Sequence, residues 1–156
     1  MHRLWAGCVF ALSLLAPAAA QDPRTWIFDD NPEAPSLEYG TPDSDDVLIA
    51  FSCEPGAKRM SIVESIAAAK LIPGRSAILK LSAGTASLAL TGDAVANETD
   101  GTVSIEVNSA PIPRVFALLK AGPALAIDVA GTQETVPLGG AAPHIPVFEK
   151  LCLGRR

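Results

Sequence analysis

Apolar and polar residues alternate at period two through much of this chain, and the alternation predicts strands. Val47, Ile49, Phe51 and Cys53 share one face over 47–53, which turns Cys53 inward beside Phe51. Glu54-Pro55-Gly56-Ala57 is a turn signal, and Met60 to Glu64 returns as the next strand. Ala77 to Ser82 and Thr85 to Leu90 meet tightly at Ala83-Gly84 and predict a hairpin. Over Thr102 to Val107 the pattern sets Val103, Ile105 and Val107 against Thr102, Ser104 and Glu106. Leu125, Ile127 and Val129 make a further strand, which turns at Ala130-Gly131 and returns over Thr132 to Leu138. Thr25 to Phe28 predicts a first strand. From Asp29 to Asp46, by contrast, Pro32, Pro35, Gly40 and Pro42 interrupt a stretch with little apolar periodicity beyond Leu37 and Tyr39, so it reads as a polar loop or arm. Ile66 to Lys70 is rich in alanine, which favours helix, but is too short to decide.

The period lengthens in two places near the C-terminus. Pro113 suits a first helical turn, Val115, Phe116 and Leu119 recur at helical spacing, and Gly122 can end the helix. Pro146 opens a second short helix that carries Phe148, Leu151 and Cys152 on one face. The fold expected is mainly β: an antiparallel sandwich or barrel-like sheet with two short helices in the C-terminal third. Thirteen prolines and twelve glycines spread along the chain agree with many short elements joined by turns.

The first twenty residues carry a different pattern. His2 and Arg3 lead into an apolar run from Val9 through Leu15, Pro17 breaks it, and Ala18-Ala19-Ala20 supplies the small residues of a cleavage site before Gln21. Export to the periplasm or beyond, with cleavage near Ala20, is the expectation. The run is shorter than the roughly 20 apolar residues a membrane-spanning helix needs, so no stable membrane insertion is expected. The organisation expected is a cleaved signal peptide over 1–20, an acidic proline-rich segment over 21–46 and a β-rich globular domain over 47–156.

Cleavage would remove Cys8 and leave Cys53 and Cys152 as the two cysteines of an exported chain, where disulfides form and persist. A bond between them closes a 99-residue separation. In the chain-entropy view, a loop of that size contributes at most about 4.7 kcal/mol. Two free thiols for redox or metal chemistry are the alternative, but there is no C-x-x-C motif and no neighbouring histidine.

Charge is unevenly placed. Beyond residue 20, eleven bases stand against seventeen acids for a net −6, which argues against nucleic acid and against purely electrostatic attachment to anionic lipid. Residues 22–54 hold nine acids and the single base Arg24, whereas 55–156 hold ten bases and eight acids. Such asymmetry points either to a solvated acidic arm or to a cationic partner. The densest cluster, Asp43, Asp45 and Asp46, is the candidate partner-binding site. The same three acids suggest a hard cation, but the EF-hand glycine and distant bidentate acid are missing, so no metal is expected.

Catalytic motifs are absent. After residue 20 the one histidine is His144, in the proline-flanked segment Ala142 to Pro146, and it reads as a surface residue before a helix. There is no phosphate loop, nucleophile elbow or zinc-protease helix, and no cofactor is expected. Trp26 reads as an edge of the core.

Leu81 to Gly101, the Phe148-to-Cys152 ending and the cysteine pair resemble small exported bacterial β-rich proteins of uncharacterised function. Phe51-Ser52-Cys53-Glu54-Pro55-Gly56 is also similar to the opening of the C-type lysozyme inhibitors, periplasmic β-barrels with one cysteine near the first strand and another near the end. The chain lacks the serine-glycine and tyrosine signature of those inhibitors; Asn97 to Gly101 stands in its place. The resemblance implies inhibition of a basic hydrolase such as lysozyme. The residues themselves suggest a non-enzymatic periplasmic binding protein whose partner is a protein or envelope component. A carboxylate-dependent enzyme is the third reading.

Overall fold

The structure, a computed structural model, describes residues 22–66, 70–98 and 101–154. The expected signal segment 1–20 and most of the ambiguous 66–70 stretch lie outside the described residues. In chain order the elements are β1 (Thr25–Asp29), β2 (Ser36–Gly40), β3 (Val47–Cys53), β4 (Arg59–Glu64), β5 (Ser76–Ala83), β6 (Ala86–Ala96) and β7 (Val103–Pro111), followed by α1 (Ile112–Leu119), β8 (Ala124–Val129), β9 (Thr132–Pro137) and α2 (Ile145–Cys152). The fold is mainly β, as the alternation predicts: one curled antiparallel sheet forms a half-barrel, and two short helices follow in the C-terminal part.

Strand order across the sheet is β1-β2-β3-β4-β7-β6-β5-β8-β9. The ladders between β1, β2, β3 and β4 join sequence neighbours, whereas β4 pairs with β7, matching Ile62 to Val107 and Glu64 to Ile105. β5 then pairs with both β6 and β8, matching Leu81 to Leu88 on one side and to Ile127 on the other. One expectation is corrected here. The segment 29–46 is not a loop or arm throughout, because Ser36 to Gly40 forms β2, whose Leu37 and Tyr39 are buried against Phe51 and Ile49 of β3. Two apolar residues at period two suffice when both neighbouring strands complete their ladders.

The concave face holds the core. Leu79, Leu81, Ile105, Val107, Leu125, Ile127 and Val129 are buried there at the inward phase of their strands. α1 starts at Pro111-Ile112-Pro113, where proline costs no helical hydrogen bond, and ends where the Lys120 N–H reaches the Phe116 carbonyl at 3.2 Å. It buries Ile112, Val115, Phe116, Leu118 and Leu119. α2 brings Phe148 edge-on to Phe116 at 5.4 Å and to Phe28 of β1 at 6.1 Å. Burying such side chains contributes roughly 1.5–3 kcal/mol each. Both helices therefore close one end of the half-barrel, where Phe28, Cys53 and Leu125 lie.

β1 and β9 are the two edges of the sheet, and side chains rather than a ladder bring them together. Trp26 Nε1 donates to the Pro137 carbonyl at 2.5 Å, and the indole packs against Gly140, Tyr39 and Phe51. Trp26 is thus a core edge, as its sequence context suggests. On the opposite side of the helical end, Gly84 turns β5 into β6 with φ +53°, and an added Cβ would stand 2.2 Å from the Ala121 carbonyl oxygen. Only glycine fits a left-handed turn seated on that carbonyl. Gly84→Ala is expected to destabilise the domain by more than about 1 kcal/mol in urea denaturation. A variant as stable as the parent would show that the hairpin does not rest on the α1–β8 connection.

Cys53 and Cys152 stand at disulfide distance, with Cα atoms 5.6 Å apart. Gly56 N–H adds a bond of 3.0 Å to the Cys152 carbonyl, so the β3–β4 turn and the end of α2 are held twice. Bonded, the pair pins the last helix to the sheet. Cys53→Ser with Cys152→Ser is expected to cost up to about 4.7 kcal/mol of stability. Alkylation of unreduced protein followed by mass spectrometry should leave both residues unlabelled; labelling of both would remove the staple from the account.

Candidate functional site: an acidic cleft beside a buried glutamate

The end of the half-barrel away from the helices is polar. Arg24, the residue before β1, continues the phase of Trp26, while period two along β2 sets Tyr39 inward with Leu37, along β4 it sets Glu64 inward with Met60 and Ile62, and along β9 it sets Glu134 with Val136. Four functional groups thereby occupy one end of the concave face. A cleft of about 820 Å³ opens there, with Asp45, Asp46, Glu134, Arg24, Ser44 and Ser65 in its walls and Leu48 and Ile66 beneath.

The β2–β3 turn presents the aspartates. Thr41 N–H bonds the Asp46 carbonyl at 2.8 Å, Thr41 Oγ1 donates to Asp46 Oδ2 at 2.9 Å, and Ser44 Oγ donates to the Thr41 carbonyl at 2.9 Å. The turn is tied by its own side chains, as short polar residues allow. Of the three aspartates singled out in the sequence, Asp45 and Asp46 line the cleft. Asp43 is exposed at the tip, with φ +58°, and is not among the lining residues.

Arg24 is shared between two carboxylates. Its Nε meets Asp22 Oδ1 at 3.0 Å and a terminal nitrogen meets Glu134 Oε1 at 3.0 Å, which bridges the β1 and β9 edges. The side-chain and backbone bonds from Arg24 hold Asp22 below the ordinary carboxylate range. The bond to Asp22, with the charge of Glu134 behind it, raises the Arg24 guanidinium and keeps it cationic. Tyr39 lies close enough to respond to the same charges, and burial raises its phenol first of all. Asp45, Asp46 and Glu134 against one arginine leave the cleft negative, a field that concentrates cations.

Glu64 is the anomaly. It is the one buried charged residue among the described residues, at 0% exposure, flanked across its ladders by Ile49 and Ile105. Oε1 accepts the Ile66 N–H at 2.5 Å, while Oε2 has no hydrogen-bond partner. Burial lifts its pKa from 4.5 to about 7, the Ile66 N–H opposes this, and the Glu134 charge adds to it. Glu64 and Glu134 therefore sense each other, although only Glu134 is in the cleft wall.

Glu64, Glu134, Arg24 and Tyr39 were not singled out in the sequence. The signal was the phase: a glutamate in register with Met60 and Ile62 is a charge on the core face. His144 sits at the start of α2 and stacks on Phe28 at 5.2 Å, at the helical end and away from this cleft. Among the described residues no group of three or more His, Cys, Asp or Glu side chains is arranged to hold a metal, and no helix is long and apolar enough to cross a membrane. No family model, curated protein or solved structure matches the chain.

The raised pKa has a stability consequence. Between 4.5 and about 7 the folded chain holds a proton on Glu64 that the unfolded chain has released, so stability falls as pH rises through that window and levels off above it. The loss amounts to roughly 3 kcal/mol at 1.36 kcal/mol per pKa unit. Glu64→Gln should remove this slope, so that the variant gains on the parent from pH 5 to pH 8 in urea denaturation. Parallel stability profiles would show that Glu64 is ionised without penalty.

Proposed function

We propose that the protein is a non-enzymatic binding protein, exported by the leader at 1–20 and working in the periplasm or outside the cell, that receives a cationic group of a partner in the acidic cleft. The observation that supports this reading is convergence. Asp45 and Asp46 come from the β2–β3 turn and Glu134 from β9, yet they share one cleft, and among the described residues Arg24 forms ion pairs with Glu134 and Asp22 while feeling Asp46 at longer range. Three acids from distant parts of the chain against one arginine give the cleft a net negative charge, which a cationic ligand would complement. A fully buried Glu64 does not reach the cleft surface, which favours binding over carboxylate catalysis. A basic hydrolase such as lysozyme is one partner with the required charge, and it would make the protein an inhibitor.

Association is measured with two cationic probes, a lysine-rich peptide and a C-type lysozyme, by surface-immobilised kinetics at low and physiological salt. Asp45→Asn, Asp46→Asn and Glu134→Gln combined should slow association about tenfold at low salt and flatten its salt dependence, because steering charge acts mainly on the on-rate. Asp43→Asn should act more weakly. Inhibition of cell-wall lysis alongside binding would identify the hydrolase-inhibitor role. Identical kinetics for parent and triple variant, with both probes, would remove the cleft from the account of function.

A further inference from the structure

The same rim carries a second surface of opposite sign. The connection between β4 and β5 contributes Ser65 and Ile66 to the acidic cleft, then supplies Lys70, Ile72 and Arg75 to a separate groove of about 460 Å³ completed by Ile78 and Lys80 of β5 and Asp128 of β8. Ile72 is 60% exposed and Ile78 is 45% exposed. This exposure is not the looseness of a free loop. Arg75 N–H bonds the Ile72 carbonyl at 3.1 Å, Gly74 N–H bonds the Ala94 carbonyl at 2.8 Å, and Ala94 N–H returns a bond to Arg75 at 2.9 Å, so the turn is pinned to β6 with its isoleucine held outward.

Two of the cations around it, Lys70 and Arg75, have no carboxylate within ion-pair distance among the described residues, whereas the charge of Lys80 is felt by Asp128. Asp128 faces Lys80 across the ladder and feels its charge, but without a direct ion pair: its carboxylate accepts the Gln133 amide at 2.9 Å and the Gly131 N–H at 3.2 Å, so Lys80 keeps its own donors for a second anion. We propose that this groove seats the protein on an anionic lipid surface, with Ile72 entering the headgroup boundary and Lys70, Arg75 and Lys80 meeting lipid phosphates. Charge and apolarity together select a lipid surface, where an apolar layer lies directly under a layer of negative charge. An acidic protein segment without apolar side chains would satisfy the cations and leave both isoleucines in water. This docking is peripheral and needs no membrane-spanning element. It also stands independently of the acidic cleft.

The test is co-sedimentation of the purified exported protein with vesicles of phosphatidylcholine alone and of phosphatidylcholine mixed with phosphatidylglycerol. The parent should partition to the mixed vesicles only, and less so at high salt. Lys70→Ser, Arg75→Ser and Lys80→Ser combined should lose about a hundredfold in partition, at roughly fivefold per charge. Ile72→Ser alone should lose about tenfold. These residues are exposed, and circular dichroism verifies that each variant keeps its fold. No partition to mixed vesicles at low salt, equal partition to both kinds, or variants that partition as the parent does would each overturn the proposal. Binding of polyglutamate without binding of vesicles would overturn it too, and would reassign the groove to an acidic protein.

Discussion

The structure depends on a sheet that curls but does not close through a ladder. Because β1 and β9 remain edges, the concave face would be open to water unless side chains sealed it, and two contacts do so: Trp26 to the Pro137 carbonyl and Arg24 to Glu134. A closed barrel removes its edges by hydrogen bonding, whereas a half-barrel has to cover them. At the helical end the cover is apolar, made by Phe116, Phe148 and Phe28 with the Cys53–Cys152 pair behind them. At the other end it is ionic, and the cleft follows from that choice. Arg24 and Glu134 are structural seam and cleft wall at once.

Much of the architecture was legible because strand and helix periods are local. The Val47–Cys53, Val103–Val107 and Leu125–Val129 alternations place Ile49, Phe51, Cys53, Ile105, Val107, Leu125, Ile127 and Val129 in the core, although Val47 and Val103 at the strand starts are only half-buried and Leu48 is buried on the opposite phase. Prolines 113 and 146 mark helices that begin within a residue of them. β6 was legible only to Leu90, although it runs to Ala96. Its inward residues beyond Leu90 are Gly92 and Ala94, kept small because a Cβ on Gly92 would meet the Glu106 carbonyl at 2.6 Å and the Val107 side chain at 2.8 Å. Hydrophobicity patterns weigh such positions lightly. Strand order was not legible either. That β4 pairs with β7 rather than with β5 is decided by side-chain packing between residues more than forty apart, such as Ile62 and Val107, and no local period encodes it.

The acidic N-terminal bias was legible as composition but not as geometry. Nine acids before residue 55 suggested an arm, yet β1 and β2 bring that stretch into the sheet, and only Asp45 and Asp46 of the cluster reach the cleft. Their partner in the wall, Glu134, comes from the stretch after residue 54 that counts as net positive. Folding, rather than sequence, makes the local field. The same holds for the basic groove, whose Lys70, Arg75 and Lys80 sit in a chain of net negative charge.

Glu64 shows how the two ends are linked energetically. Met60 and Ile62 commit β4 to burying one face, and the period of two then carries Glu64 into the core whatever its own hydration would favour. A leucine there would pack against Ile49 and Ile105 at no ionic cost, so the position is occupied by a group that weakens the fold when charged. The charge on Glu134 adds to the cost of ionising Glu64, so the residue that pairs with Arg24 across the β1–β9 seam also disfavours a charge in the core.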